Sequence, residues 1–505
     1  MSRERPAFAE ISPSEFFYRN RELAGFTNPS RALYSAIREL VENSLDAAES
    51  ARIKPVVEVS LQPEGDGLDP RPYVLAVRDN GPGVDPVHLP NAFGKVFFGS
   101  KFTLKQARGM FGMGGTMAIL YGQITTNRPV TIESSVDGVT LHGYRMLIDI
   151  EHNRPLILER WSREAGGWHG TYVRLTLEGD YTRAQQKVLE YFRQSAMATP
   201  YAYLSFTDPL GRRVEHLPAV DTMPPPPRET LPHPHGLDVE ALRRIIRAAK
   251  QRTLHELLYK NLHRVGPKIA MKFLLHSGFD PNRDPSTLTN EEITALARAL
   301  HEYDGFLPPD ASCLSPLGEE LLVAGVRKEL RCEFVTAVSR PPAAYSGYPF
   351  IVEVAVAYGG ELQNGVRLYR LANRIPLLYD ESSDVAWKVI TEEINWRRYR
   401  LGDNPPISII THICSTRIPY KTVGKEYVAD QPDIERELRN AVREALRRLS
   451  HYLSKKSSLE MAQRRSNIYQ RYLPLIARFS MELAGRGRPP DYRKLVAGQG
   501  VEMRR

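Results

Sequence analysis

The sequence has little cysteine and no long apolar run. Its three cysteines, Cys313, Cys332 and Cys414, lie far apart and form no CxxC pair. This argues against a zinc site or a disulfide framework and fits a reducing cytoplasm. No apolar run approaches the ~20 residues of a membrane span, and the polar, charged N-terminus does not resemble a secretory signal. We therefore expect a cytoplasmic protein with no membrane partner.

The positive charge is unevenly distributed. The 505 residues include 68 Lys+Arg and 59 Asp+Glu, a net charge of +9. Residues 241–272 contain nine Lys/Arg against one Glu, and residues 455–505 contain twelve against four Asp/Glu, so the remainder is mildly acidic. Basic segments suggest a polyanionic partner, although a solvated helix face explains them equally well.

Proline-rich segments divide the chain. Six prolines within residues 221–236 predict a domain boundary, because they fit neither a helix nor a central strand. Residues 237–303 are predicted to be almost entirely helical, with a cap at Thr289 or Asn290. After a second break near Pro316, residues 348–358, 366–372 and 406–414 have the β-branched enrichment of strands. A helical stretch from Pro432 to about Glu482 follows.

The first candidate motif lies on a predicted helix, residues 31–49, with Ser30 as a plausible N-cap. Glu39, Asn43 and Asp46 are spaced by four and three residues and so share one face. A carboxylate and a carboxamide on one face can position a water and bind Mg²⁺ through oxygen. A solvated polar face is the alternative. Glu42, adjacent to Asn43, is expected to point elsewhere.

The second motif is an apolar strand, residues 73–77, that runs into Asp79, Gly81 and Gly83. An aspartate at a strand end can accept a hydrogen bond from an exocyclic amine. Glycines after it allow the backbone to approach a flat ring closely. A simple turn is the alternative.

The third motif is a glycine-rich loop. Gly109, Gly112, Gly114 and Gly115 precede a helical pattern that starts at Met117. Such a loop can hold phosphates with backbone N–H groups and the helix dipole. Side chains of the same region add hydroxyls and a charge: Ser100, Lys101 and Thr116. The loop lacks the GKS or GKT of a Walker A motif and the GxGxxG spacing of a dinucleotide-binding loop. A flexible connecting loop that binds no ligand is the alternative for this motif alone.

The order and spacing of the three motifs, ExxxN, DxGxG and GxxGxG, resemble the GHKL ATPases. The resemblance implies a Bergerat-type α/β sandwich with an ATP site under a mobile lid. Glu39 would be the general base, Asn43 would hold Mg²⁺, and Asp79 would bind the adenine amine. Thr171, in the segment HGTYVRLTL, would lie near Asp79. The remaining cofactor-binding residues would be Asp46, Gly83, Ser100, Lys101, Gly109, Met110, Phe111, Gly112, Met113, Gly114, Gly115 and Thr116.

Over nearly its full length the chain also resembles the B subunits of type IIB DNA topoisomerases. The segments ELVENSLDA, SKF…RGMFGMG, HGTYV…EGDY and STRIPYKTVGKE carry the resemblance, as does INWRRY, where Arg397 replaces the family's usual Lys. Two segments depart from the pattern: Gly114-Gly115-Thr116 stands where the family lid usually continues with Ile-Ser, and Ser415-Thr416-Arg417 stands for STK.

The resemblance implies a multidomain α+β chain. An ATPase domain with an N-terminal strap would span residues 1–228, and a helix-two-turns-helix module residues 229–308. A transducer with a right-handed crossover would span residues 309–454, and a helix and basic tail that dock on the A subunit residues 455–505. Transducers of this kind reach the nucleotide with a lysine, and Lys421 and Lys425 are both candidates, which the sequence does not separate.

The function implied is that of an ATP-driven gate. Two copies would dimerise on binding ATP and Mg²⁺, trap a duplex, and signal A subunits in an A₂B₂ assembly to cleave and pass DNA, in relaxation or decatenation. The location would be the cytoplasm, at the nucleoid. The chain has no DxD triplet, so we do not expect it to cleave DNA by itself. An ATP-gated chaperone or mismatch-repair-like clamp of the same superfamily is the alternative.

Overall fold

The computed structural model describes residues 10–99, 103–109, 112–422 and 424–488, which contain two β-sheets. Within these ranges no helix is long and apolar enough to cross a membrane. Four of the predicted site residues lie outside the described residues: Ser100, Lys101, Met110 and Phe111. The tail beyond residue 488 lies outside them as well.

An eight-stranded sheet forms the N-terminal part of the protein, in the order β5-β4-β3-β6-β2-β1-β7-β8. Strands β1 and β7 pair in parallel, and the other neighbours are antiparallel. The strands are β1 (Val56–Pro63), β2 (Arg71–Asp79), β3 (Val130–Ser135), β4 (Thr140–Asp149), β5 (Arg154–Glu164), β6 (Gly170–Gly179), β7 (Tyr203–Thr207) and β8 (Arg213–His216). The helices are α1 (Pro13–Arg19), α2 (Pro29–Ser50), α3 (Leu89–Gly94), α4 (Gly114–Thr126) and α5 (Tyr181–Ala198).

Helix α2 begins earlier than the sequence suggested. Its N-cap is Asn28, whose side chain accepts a hydrogen bond from the Arg31 N–H at 2.9 Å. The prediction of Ser30 as the cap is wrong, because Pro29 occupies the first helical position, where its fixed φ fits and its missing N–H costs nothing. One face of α2 is buried in the main core through Leu33, Ile37, Leu40, Val41 and Leu45. The opposite, polar face is therefore left to the functional site.

Four helices form a separate small module with its own core: α6 (Val239–Ala248), α7 (Leu254–Asn261), α8 (Pro267–Ser277) and α9 (Asn290–Glu302). The prediction of helices in this region is confirmed. Of the two candidate caps, Thr289 is the one that caps α9. Its side chain and that of Glu292 form a reciprocal capping box, which satisfies two free N–H groups of the first turn.

The C-terminal part contains a six-stranded sheet with the order β10-β11-β14-β12-β13, in which β9 also pairs with β11. Its strands are β9 (Phe334–Ser339), β10 (Ala343–Tyr345), β11 (Tyr348–Tyr358), β12 (Gly365–Ala372), β13 (Ile375–Pro376) and β14 (Pro406–Ser415). Its helices are α10 (Gly318–Glu329), α11 (Val385–Glu392) and α12 (Pro432–Leu483). The predicted strands at 348–358, 366–372 and 406–414 are confirmed. Strands β12 and β14 pair in parallel, with α11 in the connection between them.

The two sheet-containing parts are in direct contact through α5 and α10. Met197 and Ala198 at the end of α5 share a buried cluster with Leu322 and Val326 of α10. A Cβ on Gly325 would lie only 2.0 Å from the Met197 carbonyl oxygen, so only glycine permits this approach. This contact holds the C-terminal sheet beside the polar face of α2.

Helix α12 is 52 residues long and changes character along its length. Its first part is buried against the C-terminal sheet through Ile434, Leu438, Val442, Leu446 and Leu449. Its second part carries a stripe of apolar side chains that are between 44 and 95% exposed: Ile468, Tyr472, Leu475, Ile476, Phe479 and Leu483. Within the described residues this stripe therefore does not pack on its own domain.

Candidate active site

A cavity of about 800 Å³ lies between α2, the start of α4 and the end of β2. It collects nearly all the described residues that the sequence singled out, although they are spread over almost four hundred positions. Those that line it are Glu39, Asn43, Asp46, Asp79, Gly83, Gly109, Gly112, Met113, Gly114, Gly115, Thr116, Thr171 and Lys425. Lys421 does not line it.

Two of the predicted site residues on α2, Glu39 and Asn43, pack directly against the glycines that begin α4. A Cβ on Gly114 would lie 1.6 Å from Glu39 Oε2, and a Cβ on Gly115 would lie 3.1 Å from Asn43 Nδ2. A side chain at position 114 could not be accommodated without moving Glu39, and one at position 115 would make a tight contact with Asn43. The glycine pair therefore lets the N-terminus of α4, whose first N–H groups have no acceptor within the helix, approach Glu39 and Asn43.

Asp79 sits at the end of β2, where three hydrogen bonds fix its carboxylate. Oδ2 accepts from the Ser44 hydroxyl at 2.8 Å, and Oδ1 accepts from the N–H groups of Gly81 at 2.9 Å and Thr171 at 3.0 Å. Burial raises the pKa of Asp79, although these donors oppose the shift. The expected proximity of Thr171 and Asp79 is thus present as a direct contact.

Gly83 has a role that the sequence did not reveal. Its φ is +72°, and a Cβ would lie 2.2 Å from the Ser135 carbonyl oxygen. This glycine is therefore required by a close approach of two protein backbones, in addition to lining the cavity.

The two candidate lysines lie in different environments. Lys421 is exposed. The Lys425 side chain is 4% exposed, and its Nζ lies 3.3 Å from Glu42 Oε2 and 3.8 Å from Glu39 Oε1. Arg38 completes the group, donating to Glu39 at 2.6 Å. We call Arg38, Glu39, Glu42 and Lys425 the lysine cluster.

Glu42 is not among the residues that line the cavity, in agreement with the expectation that it points elsewhere. The side chain is almost fully buried and faces Lys425 and Arg38. Burial raises the pKa of Glu42, and the nearby Lys425 opposes the shift. Spacing on α2 alone could not reveal this, because the partner lysine comes from the other end of the chain.

A second charged group lies further along α2, about two helical turns from the lysine cluster. Arg108, just before the loop glycine Gly109, donates to Glu49 at 2.8 Å through each of two nitrogens and to Asp46 at 3.0 Å. Arg374, from the turn between β12 and β13, donates to Glu49 at 2.7 Å. Asp46, Glu49, Arg108 and Arg374 are here called the arginine cluster.

The sequence predicted only part of this second group. Asp46 alone was assigned to the site, because it shares a face with Glu39 and Asn43. Its carboxylate accepts hydrogen bonds from the N–H groups of Arg108 at 3.4 Å and Gly109 at 3.2 Å, which fixes the start of the loop. Glu49 lies three residues further on α2, a spacing that would have indicated the second carboxylate.

Family models match two long segments of the chain. The family described as "Histidine kinase-, DNA gyrase B-, and HSP90-like ATPase" matches residues 28–177, which contain α2, the end of β2 and the loop before α4. The family described as "Topoisomerase VI B subunit, transducer" matches residues 309–465, which contain the C-terminal sheet, Arg374 and Lys425.

Similar curated proteins cover almost the whole chain, and each of the following is named as the B subunit of type 2 DNA topoisomerase 6. The protein from Metallosphaera sedula is 42% identical over 477 residues, 93% of this chain and 89% of its own. That from Sulfurisphaera tokodaii is 40% identical over 486 residues, 95% and 90% of the two chains. That from Saccharolobus shibatae is 41% identical over 477 residues, 93% and 89%. The chain therefore belongs to the family of B subunits of type 2 DNA topoisomerase 6.

Proposed function

We propose that this chain is the ATP-binding and ATP-hydrolysing B subunit of a type IIB DNA topoisomerase. ATP binding drives two copies to dimerise around a duplex and to signal an A subunit, which cleaves and passes DNA. The observation that carries the proposal is the cavity itself, because it joins Glu39, Asn43, Asp79 and the glycine loop of one sheet domain to Lys425 of the other.

The donors in the cavity fit a magnesium nucleotide. The Asn43 carboxamide offers the kind of oxygen that Mg²⁺ prefers, beside the Glu39 carboxylate. Asn43 would hold the ion, which when bound neutralises charge on phosphate oxygens. The N-terminus of α4 faces the same space with N–H groups that lack helical partners, as a polyphosphate requires. Asp79 is placed to accept from an adenine amine.

Within this arrangement Glu39 is the base that takes the proton of the attacking water. Arg38 holds its carboxylate at 2.6 Å, which fixes the side chain beside Gly114. Lys425 lies near both Glu39 and Glu42 and is the residue that we assign to the γ-phosphate. Hydrolysis then depends on positioning and charge rather than on covalent catalysis.

Lys425 also couples the state of the nucleotide to the position of its own segment of the transducer. It belongs to the segment between β14 and α12, and Arg38 of α2 donates to the carbonyl of the adjacent Gly424 at 2.9 Å. A γ-phosphate that attracts Lys425 changes the contacts of this segment, whereas ADP does not. Differential contact energy of this kind is what a two-state switch requires.

The Glu39→Gln variant tests the active site. Loss of a general base should lower kcat for ATP hydrolysis by at least about 100-fold, while ATP affinity stays within about threefold of wild type, because the shape of the side chain is kept. Glu190→Gln on α5, outside the cavity, is the control and should behave as wild type. Near-normal hydrolysis by Glu39→Gln would refute the assignment.

The helical module of α6 to α9 is our candidate DNA surface. Its basic segment places eight of nine Lys/Arg side chains on the exposed surface: Arg244, Arg247, Lys250, Arg252, Lys260, Arg264, Lys268 and Lys272. Such a density of exposed cations suits the phosphates of a duplex held between two protomers.

Changing the exposed arginines Arg244, Arg247 and Arg252 to Gln together should reduce the salt dependence of duplex binding. The slope of log K against log salt should fall by about one for each lost phosphate contact. The matched control removes three exposed arginines elsewhere: Arg154, Arg183 and Arg331. Equal slopes for the two triple variants would mean that the module does not contact DNA.

The exposed apolar stripe of α12 is our candidate docking site for the A subunit. Tyr472 and Phe479 are 49 and 58% exposed, and Leu483 is 95% exposed. Changing Tyr472 and Phe479 to Asp should abolish ATP-dependent plasmid relaxation with an added A-type subunit, while ATP turnover by this chain alone persists. Relaxation by that variant at the wild-type rate would exclude the stripe as the docking site.

A further inference from the structure

We infer that Arg374 is a positioning residue that fixes the root of the nucleotide lid from the transducer side. The inference rests on the proposed ATP site and adds to it a second connection between the two sheet domains, separate from Lys425. The lid root is defined here as residues 103–109, the described segment that leads into the glycine loop.

The connection runs through contiguous buried contacts. Arg374 donates to Glu49 at 2.7 Å, and Glu49 accepts two hydrogen bonds of 2.8 Å from Arg108. Arg108 and the following Gly109 are in turn held by Asp46. The Arg374 side chain is 4% exposed, and that of Arg108 is 2% exposed. Because breaking a buried ion pair leaves an uncompensated charge, these contacts hold their geometry firmly.

The backbone of Arg374 is oriented by a histidine. Its φ is +67°, an unusual value for a residue with a side chain, and its N–H donates to His412 Nε2 at 3.0 Å. Nε2 therefore carries no proton, and the neutral ring donates its Nδ1 proton to Glu353 at 2.8 Å. Glu353 also accepts from the N–H groups of Leu317 and Gly318.

This hydrogen-bond pattern explains a cluster that otherwise has the composition of a metal site. Glu353, His412 and Cys414 are buried with their ligand atoms within 4.8 Å of one another. A metal on His412 Nδ1 would move the ring proton to Nε2, where it would oppose the Arg374 N–H. Burial and the Glu353 charge also raise the pKa of the Cys414 thiol. The cluster therefore orients the Arg374 turn instead of binding a metal.

Two neutral contacts hold the same turn and the same loop together. Asn373 Nδ2 donates to the carbonyl of Ala107 at 3.3 Å, and Asn373 Oδ1 accepts from the Ser415 N–H at 3.0 Å. Gln106 exchanges hydrogen bonds with the Ser315 backbone at 2.7 and 3.2 Å. The lid root is thus attached to the transducer at several points around Arg108.

The transducer contacts α2 at two separate points. Lys425 meets α2 at Glu39 and Glu42, and Arg374 meets it about two turns further along, at Glu49. If the transducer rotates about the Lys425 contact, the Arg374 contact must move, and the reverse also holds. A change at the γ-phosphate is therefore transmitted to the lid root, and the lid root restrains the transducer.

The experiment compares Arg374→Gln with Arg370→Gln in the full chain. Arg370 is an equally buried arginine of β12, 4% exposed, that bonds within the transducer to Leu377, Tyr379 and Asp384. Both variants lose a buried guanidinium, but only the first loses the lid contact. The readouts are release of ADP labelled with a methylanthraniloyl group, by stopped flow with Mg²⁺, and hydrogen exchange of residues 103–109.

We expect Arg374→Gln to release the labelled ADP about tenfold faster than wild type and to exchange faster at residues 103–109, with Arg370→Gln unchanged in both. Arg374→Lys, which keeps one donor to Glu49, should restore most of the slow release and serves if the Gln variant does not fold. Equal release and exchange in the Arg374 variants and the control would overturn the inference. Failure of the wild-type chain to bind the labelled ADP would instead overturn the ATP site.

Discussion

The lysine and arginine clusters have the same composition but different geometry. Each contains two carboxylates and two cations, and each joins α2 to the transducer. In the arginine cluster the cations approach the carboxylates at 2.7–3.0 Å. In the lysine cluster Arg38 holds Glu39 at 2.6 Å, but Lys425 stays at 3.3 and 3.8 Å from the two carboxylates, and Arg38 lies 3.5 Å from Glu42.

The difference in contact distance matches the roles that we propose for the two clusters. A group that must respond to a γ-phosphate has to leave its present partners at low cost, so long contacts are useful there. A group that anchors a loop has to keep its partners, so short and bidentate contacts are useful there. In the function that we propose, the same chemistry provides a switch at one point of α2 and a fixed attachment at another.

Glu49→Ala should break the arginine cluster and have the largest effect on stability. It removes the carboxylate that Arg108 and Arg374 both contact, so two buried guanidinium groups lose their shared partner, and the free energy of unfolding should fall by about 3–5 kcal/mol. Urea unfolding measures this, with Glu361→Ala, whose side chain is 68% exposed, as the control. A loss below about 0.5 kcal/mol, as for an ordinary surface substitution, would contradict the tight geometry.

Lys425→Met should separate function from stability in the lysine cluster. Loss of one preorganised cation should reduce ATP turnover by about 100-fold. The free energy of unfolding should fall by less than in Glu49→Ala, because Lys425 makes only the longer contacts of 3.3 and 3.8 Å to its two carboxylates. Lys421→Met, at the exposed lysine of the same segment, should hydrolyse ATP like wild type. If Lys421→Met were the inactive variant, the assignment of the two lysines would be reversed.

The smallest expected effect is on the pH dependence of stability, which should differ between the two clusters. Burial raises the pKa of Glu42 above its ordinary 4.5, so the folded state binds more protons there and this residue's contribution to stability falls as pH rises above 4.5. Burial also acts on Glu49, but Arg108 and Arg374 outweigh it and lower the pKa, so its contribution is complete above 4.5 and is lost as pH falls further.

Urea unfolding of Glu42→Gln and Glu49→Gln on both sides of pH 4.5 measures these two contributions. Relative to wild type, Glu42→Gln should gain stability as pH rises, whereas Glu49→Gln should lose it. Parallel profiles for the two variants would mean that the clusters do not differ in electrostatics.

Much of the fold followed from the sequence because its signals are local. The strands of the C-terminal sheet had β-branched composition, and the helices of the small module had helical periodicity and a capping signal at Thr289. The one cap that was misplaced, Ser30, failed because two competing signals lay within three residues, and proline decided between them. The face shared by Glu39, Asn43 and Asp46 also followed from spacing, since α2 is a regular helix.

By itself the sequence determined which side chains α2 presents and which loops are glycine-rich, because helix geometry and backbone freedom are properties of short segments. Only the tertiary structure decided that Lys425, not Lys421, lines the cavity, that Glu42 faces Lys425, and that Arg374 reaches Glu49. These contacts join residues that are more than three hundred positions apart. No local pattern encodes such pairings, because they depend on how α5 packs against α10 and on where the turns between strands end.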